Sequence, residues 1–176
     1  MHKYIEELTE LISNCQMDNT YKMSWCRALV EHCCYNSDRK IHFDKLSELI
    51  FKYYWNQSIF FNLEQGPNIN KRPAIHQIVK DEIQKYRKVY GQQPVNFIRA
   101  GDKINIDIAK ISTILTYDVS WRFLKLENKT YNIYEYKKGD KHLVLRYPDL
   151  IKEHSRLLFQ LINYRWSQKL EDLNNS

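Results

Sequence analysis

Residues 20–88 read TYKMSWCRALVEHCCYNSDRKIHFDKLSELIFKYYWNQSIFFNLEQGPNINKRPAIHQIVKDEIQKYRK and contain three helical patterns in succession. A short β-like stretch at residues 40–43 separates the first two patterns, and a polar loop with the breaker Gln65-Gly66-Pro67-Asn68 precedes the third. The third pattern is rich in lysine and arginine. Short helices of which the last is basic are typical of helix-turn-helix and winged-helix domains that bind nucleic acid.

Apolar spacing and capping residues set the limits of each predicted helix. A helix over residues 4–15 has an apolar stripe with glutamates on the other side, and a second follows over residues 20–35. Asp44 is the expected N-cap of the third helix. Pro73 fits the first turn of the fourth helix, which runs to Tyr90 and ends at Gly91. The inward face of this fourth helix is predicted to comprise Ile75, Ile78, Val79, Ile83, Tyr86 and Tyr90.

The second half of the chain mixes strand and helix signals. Residues 94–117 fit both an alternating strand and a helix, and the sequence does not choose between them. Residues 121–126, 131–136 and 142–147 predict three strands, which are joined by tight turns at 127–130 and 137–140. A long final helix is expected from residue 148 to residue 173.

Together these elements predict a mainly helical α+β fold. It would have a helix-turn-helix or winged-helix-like core, a small antiparallel β-meander and a long C-terminal helix. The predicted division is a helical region over residues 1–92 and a region of meander and final helix over residues 93–176. Because the 176 residues contain no repeat, low-complexity tract or linker, the two regions are expected to form one compact domain.

Composition narrows the class of protein. The net charge of +6 favours an acidic partner such as nucleic acid. No run approaches the roughly 20 apolar residues of a membrane span, and no signal-like stretch follows Met1, so a cytoplasmic protein without membrane contact is expected. The cysteines lack metal-binding spacing and are expected to be reduced, buried thiols: Cys15, Cys26, Cys33 and Cys34.

The basic fourth helix is the predicted nucleic-acid contact. Its arginines and lysines can neutralise phosphates, while Gln77 and Gln84 could reach base edges if the helix entered a groove. The alternative is a solvated helix face, which Asp81 and Glu82 favour because a groove-facing surface rarely carries two acids. The predicted phosphate contacts are Lys71, Arg72, Lys80, Lys85, Arg87 and Lys88.

A second basic group lies at the predicted hairpin tip and comprises Lys137, Lys138 and Lys141. A wing inserted beside a nucleic-acid backbone would carry such residues. An ordinary exposed turn would carry them too, and the sequence favours this second interpretation.

No recognisable catalytic motif accompanies these cations. Serine nucleophile elbows, Walker motifs and paired metal-binding histidines are absent, so no catalytic residue, metal ligand or cofactor is predicted. One alternative is a small metal-dependent nuclease, in which Glu135 and Lys137 on a strand would meet Asp118 in a cleft.

A further alternative is a protein-interaction or dimerisation module. It requires an exposed apolar patch of several hundred Å² around Tyr53, Trp55 and Phe60. Aromatic residues at this helical spacing are more often part of a core, so the sequence favours burial of this cluster.

Two segments resemble the N-terminal region of restriction-type HNH endonucleases. The first comprises Thr20-Tyr21-Lys22-Met23, Ala28-Leu29, Ile41-His42-Phe43, Leu46 and Tyr53-Tyr54-Trp55-Asn56-Gln57. The second is similar to the long helix that precedes the nuclease module of that family, and comprises Phe159-Gln160-Leu161-Ile162-Asn163-Tyr164, Trp166 and Leu170-Glu171. The matched residues are aromatic and structural.

The resemblance stops before the family's chemistry. A cysteine-rich ββα-metal module with a catalytic histidine follows this helix in the family, whereas this chain ends at Asn174-Asn175-Ser176. Both a domain of a longer protein and a stand-alone relative fit this pattern. The resemblance therefore implies a DNA-binding recognition or regulatory domain of a restriction or phage-defence endonuclease, not cleavage by these residues. Expected partners are DNA and a nuclease module in the same or another chain, with a homodimer left open.

Overall fold

The computed structural model describes residues 1–175 and shows a mainly helical α+β fold, as predicted. Its helices, in chain order, are α1 (Lys3–Asn14), α2 (Tyr21–Tyr35), α3 (Phe43–Phe61), α4 (Ala74–Tyr90), α5 (Phe97–Ala100), α6 (Ile108–Ile114), α7 (Pro148–Glu153) and α8 (Ser155–Asn174). A 3₁₀ turn (Gly101–Lys103) follows α5, and a π-helical turn (Leu115–Val119) continues α6. The region left open by the sequence, residues 94–117, thus forms short helices joined by loop residues and contains no strand.

The strands are short and form two sheets. They are β1 (Lys40–His42), β2 (Lys125–Leu126), β3 (Lys129–Thr130), β4 (Tyr134–Glu135) and β5 (His142–Leu145). The larger sheet has the order β1-β5-β4 and is antiparallel, with Ile41 opposite Leu143 and Glu135 opposite Val144. Strands β2 and β3 form a separate hairpin. The predicted three-stranded meander is therefore wrong, because β5 lies between β4 and a strand from the first half of the chain.

Two further predictions in this region are wrong. Residues 121–124 form helical turns and not a strand, which lets the adjacent side chains of Phe123 and Leu124 both face the core. The long final helix is divided at His154, which separates α7 from α8. The hairpin of β4 and β5 pairs through β5 with β1, so the fold does not confirm a winged-helix core.

The helix ends follow their capping residues, with one correction. Asn62 ends α3 with a left-handed backbone, and Gly91 ends α4 at φ 99°, a conformation that glycine adopts without strain. His42, and not the predicted Asp44, is the N-cap of α3: its Nδ1 accepts a hydrogen bond from the Asp44 backbone N–H at 3.2 Å. The imidazole thus takes the place of the usual carboxylate or hydroxyl cap.

Helices α2 and α3 form the centre of the core. α2 packs against α8, α3 and α7, while α3 packs against α4 and α6. Contacts between α2 and α8, α3 and α6, and β1 and β5 all join residues 1–92 to residues 93–175. None of the helices formed by residues 1–175 is long and apolar enough to cross a membrane.

A buried polar network ties these central helices together. The Gln65 side chain, which is fully buried, accepts hydrogen bonds through Oε1 from Thr20 Oγ1 at 2.7 Å and from Trp166 Nε1 at 3.2 Å. Its Nε2 donates to Gln57 Oε1 at 2.6 Å. One side chain in the α3–α4 loop therefore connects the start of α2, the C-terminal part of α3 and the middle of α8.

Candidate nucleic-acid interface

The basic helix α4 lies on α3 with its predicted apolar face largely inward. Ile75, Val79, Ile83 and Tyr86 are buried, whereas Tyr90 at the helix end is 49% exposed. Of the residues that the periodicity turns outward, Gln84 and Lys88 are exposed, whereas Lys80 and Arg87 are half-buried. The orientation predicted for this helix is thus confirmed over most of its length.

Arg72 is not free to contact a phosphate in the way the sequence suggests. Its guanidinium makes a two-pronged ion pair with Glu64, with Nε 3.0 Å from Oε2 and Nη2 2.9 Å from Oε1. The hydrogen bonds from Arg72 lower the pKa of Glu64, and the same bonds raise the pKa of Arg72. The side chain therefore serves to hold the loop before α4 against the residues that follow α3.

Lys80 and Arg87 occupy the flank of α4 next to this ion pair, and both are half-buried. Lys80 Nζ donates to Asn62 Oδ1 at 2.9 Å. Burial lowers the pKa of Lys80, and the nearby positive charges of Arg72 and Arg87 lower it further. Arg87 Nε is buried and has no hydrogen-bond partner within residues 1–175. The two cations are thus close to one another and neither forms a salt bridge, while the charge of Glu64 opposes the lowering of the Lys80 pKa.

Lys71, Lys85 and Lys88 are exposed. In the part of the chain that the structure describes, none of these three forms a salt bridge, and the same holds for Lys80 and Arg87. Asp81 is on the same outward face and accepts a hydrogen bond from Gln77 Nε2 at 2.8 Å. The outward face is therefore basic, with one carboxylate within it.

The three hairpin-tip lysines, Lys137, Lys138 and Lys141, are exposed, and Lys138 lies against an aromatic ring. Lys138 Nζ lies 4.8 Å from the ring centroid of Trp121, beside Arg122 Cζ at 4.9 Å and Lys125 Nζ at 5.0 Å. This group, which we call the Trp121 cluster, comprises Trp121, Arg122, Lys125 and Lys138. Residues 121–126 were assigned to a strand, which would have put Arg122 and Lys125 on opposite faces, so the sequence interpretation missed the cluster.

The protein-interaction alternative requires Tyr53, Trp55 and Phe60 to be exposed together. Tyr53 and Trp55 are buried and cannot contribute to the apolar patch required for the interaction module, whereas Phe60 and its neighbour Phe61 are exposed. The indole Nε1 of Trp55 donates to Val95 O at 2.8 Å inside the core. The interpretation of this cluster as core is confirmed for Tyr53 and Trp55 and is wrong for Phe60.

The three residues of the nuclease alternative do not line the same cleft at Asp118. Asp118 lines a cleft together with Asp18, Lys22 and Arg122, and neither Glu135 nor Lys137 lines it. No group of three or more His, Cys, Asp or Glu side chains that could hold a metal ion occurs among residues 1–175.

Three of the cysteine thiols and the imidazole of His76 are buried like other core side chains. The four cysteines are free, and Cys15, Cys26 and Cys33 are buried. Burial raises the pKa of Cys33 to about 12, so it stays a neutral thiol. Burial also lowers the pKa of His76, at the start of α4, to about 4. This imidazole is therefore neutral at pH 7 and supplies no charge to the basic face.

Comparison with known proteins found no matching family model, no matching curated protein and no matching solved structure. The resemblance to HNH endonucleases therefore stays a prediction that depends on the sequence segments given above.

Proposed function

We propose that this chain binds duplex DNA through α4. The observation that carries the proposal is that four cations of α4, Lys80, Lys85, Arg87 and Lys88, form no salt bridge with a carboxylate within residues 1–175. A phosphate backbone gains free energy by replacing condensed counterions with such side chains. The exposed Gln84 lies on the same face and offers an amide for contacts beyond the phosphates.

The role we propose is recognition or regulation beside a nuclease in a restriction or phage-defence system, as the resemblance implies. The nuclease module would belong to the same protein or to a partner chain, and a homodimer is compatible with this role. We also propose a cytoplasmic location, because three buried free thiols suit a reducing compartment. The chain itself would bind and not cleave.

The test is the affinity of the chain for a duplex of about 20 base pairs over a salt series, measured for the wild type and for Lys85→Gln/Lys88→Gln. Each phosphate contact contributes about 0.9 to the log–log salt slope, so the double variant should reduce the slope by about 2. Asp81→Asn has the opposite expected effect, since it removes a charge that repels DNA. It should raise affinity at low salt by about twofold to fivefold, the range for one exposed charge.

The matched control is Lys3→Gln/Lys152→Gln, which removes two exposed lysines from α1 and α7. It should leave the salt slope unchanged. An equal loss of slope in both double variants, or no response to Asp81→Asn, would mean that α4 is an ordinary solvated face.

A further inference from the structure

The Trp121 cluster combines an aromatic ring with three cations that share it. The side chains of Arg122, Lys125 and Lys138 are exposed, and their charged groups lie 4.8–5.0 Å from the indole centroid. The indole itself is half-buried and fixed at its edge, because Nε1 donates to Tyr117 O at 2.8 Å. A fixed ring with exposed cations around it is therefore presented at the surface.

The fold builds this cluster from two distant parts of the chain. The π-helical turn ends immediately before Ser120, and Ser120 N donates to Leu115 O at 3.0 Å, the five-residue spacing of a π-helix. The Tyr136 hydroxyl donates to Thr116 O at 3.1 Å and accepts from Gly139 N at 3.3 Å. This hydroxyl holds the β4–β5 turn against the π-helical turn, which places Lys138 over Trp121.

The three positive charges are close together and unpaired. Since each lies within 5.0 Å of one centroid, any two are at most about 10 Å apart, which is about one Debye length at 0.1 M salt. No carboxylate forms a salt bridge with any of them in the described part of the chain. Asp118 and Glu127 line clefts beside Arg122 and Lys125 without pairing with them. A polyanion would relieve the mutual repulsion of the three cations.

We propose that the Trp121 cluster binds single-stranded nucleic acid, with one unpaired base stacked on Trp121 and the flanking phosphates bound by Arg122, Lys125 and Lys138. Non-specific binders of single strands combine an aromatic stacking platform with cations that follow the backbone. The base displaces a lysine or arginine side chain from the indole face, and these long side chains then reach outward to the phosphates.

A duplex cannot use this site in the same way, because the faces of its bases are covered by their stacked neighbours. The inference goes beyond the proposed function, since it concerns a different surface and a different form of nucleic acid. Duplex binding by α4 and single-strand binding by the Trp121 cluster can each fail while the other holds.

Tryptophan fluorescence gives a direct readout of this site. Trp25, Trp55 and Trp166 are buried, with 0%, 0% and 3% of their surface exposed, whereas Trp121 is half-buried. Titration of the whole chain with a 20-nucleotide oligothymidylate should quench part of the emission. The quenching should disappear in Trp121→Phe, while anisotropy of a labelled oligonucleotide should show that this variant still binds through its phenyl ring.

Affinity measurements separate stacking from charge. Trp121→Leu removes the platform and should weaken oligothymidylate binding about tenfold. Arg122→Gln/Lys125→Gln/Lys138→Gln alters exposed residues only and should lower the single-strand salt slope by about 2, since each contact contributes about 0.7. The matched control Lys3→Gln/Lys45→Gln/Lys152→Gln removes the same charge elsewhere and should keep the wild-type slope.

Three results would overturn the proposal. The first is fluorescence quenching that survives Trp121→Phe, and the second is an equal change of salt slope in the two triple variants. The third is quenching of Trp121 by heparin or by duplex DNA to the same extent as by the oligothymidylate. The Lys85→Gln/Lys88→Gln variant should bind oligothymidylate like the wild type. If it loses single-strand binding and the cluster variants do not, the single-strand site lies on α4 and the proposal for Trp121 is wrong.

Discussion

At the scale of single residues, equal charges have unequal surroundings along the basic segment. Lys88 is exposed on α4 as its place in the helical period predicts. Arg72 has the same charge but is bound by Glu64, whose position depends on the path of the loop between them. Helical periodicity fixes which face a residue occupies, but it does not determine which side chain a loop brings to it. For this reason the sequence identified the basic helix and overestimated the free charge before it.

His76 gives a prediction that belongs to this scale. The imidazole is fully buried, Nε2 is 3.3 Å from Ser58 Oγ, and Nδ1 has no partner within residues 1–175. Burial is the largest cause of its lowered pKa of about 4; the charges of Lys80 and Arg72 lower it too, and Glu64 opposes them. Between pH 6.5 and pH 4 the unfolded chain therefore binds a proton that the folded chain does not, so stability falls as the pH falls.

The expected loss over that interval is about 3 kcal/mol of unfolding free energy, from about 1.4 kcal/mol per pKa unit. Urea unfolding at pH 7, 6, 5 and 4 measures it. Because the glutamine in His76→Gln does not titrate, the loss of unfolding free energy between pH 6.5 and pH 4 should be about 3 kcal/mol smaller in this variant than in the wild type. Parallel pH dependences of the wild type and the variant would show that folding does not lower the pKa of His76.

At the scale of elements, the helices were more predictable than the strands. Apolar spacing and end signals such as Gly91 are local, and they located α1, α2, α4 and the start of α3 within a residue or two. Strand pairing is not local: β5 pairs with β1, about a hundred residues earlier in the chain, and two or four residues carry too little pattern to show this. The segment from Trp121 alternates in hydropathy only in part, because the apolar residues Phe123 and Leu124 are consecutive. A helical turn allows both side chains to be buried.

The contact between the π-helical turn and the β4–β5 turn can be tested by Tyr136→Phe. The change removes a hydroxyl that donates to Thr116 O and accepts from Gly139 N, and keeps the ring. Two hydrogen bonds at a partly buried site should be worth about 1–2 kcal/mol of unfolding free energy, measured by urea denaturation. Tyr35→Phe, at a side chain that is 82% exposed, should leave stability unchanged. A loss in both variants, or in neither, would contradict a specific role for the Tyr136 hydroxyl.

At the scale of the whole molecule, both halves of the chain contribute to one set of contacts. The fully buried Gln65 joins Thr20 of the first half to Trp166 of the second, and Trp25 Nε1 donates to Tyr134 OH at 3.1 Å. We therefore expect one cooperative unfolding transition. Far-ultraviolet circular dichroism follows the helices, and tryptophan emission follows Trp25 and Trp55 together with Trp166. Urea midpoints from the two probes should coincide; separate transitions would show that the two regions fold independently.

The central claim concerns the charge of the whole surface: cations left without carboxylate partners bind a phosphate backbone. It is tested most directly by the affinity of the wild-type chain for duplex DNA between 50 and 200 mM salt. Four cations on α4 that form no salt bridge predict a log–log slope of about −4, with the duplex recovered uncut. A slope near zero, or no detectable binding at 50 mM salt, would contradict the claim.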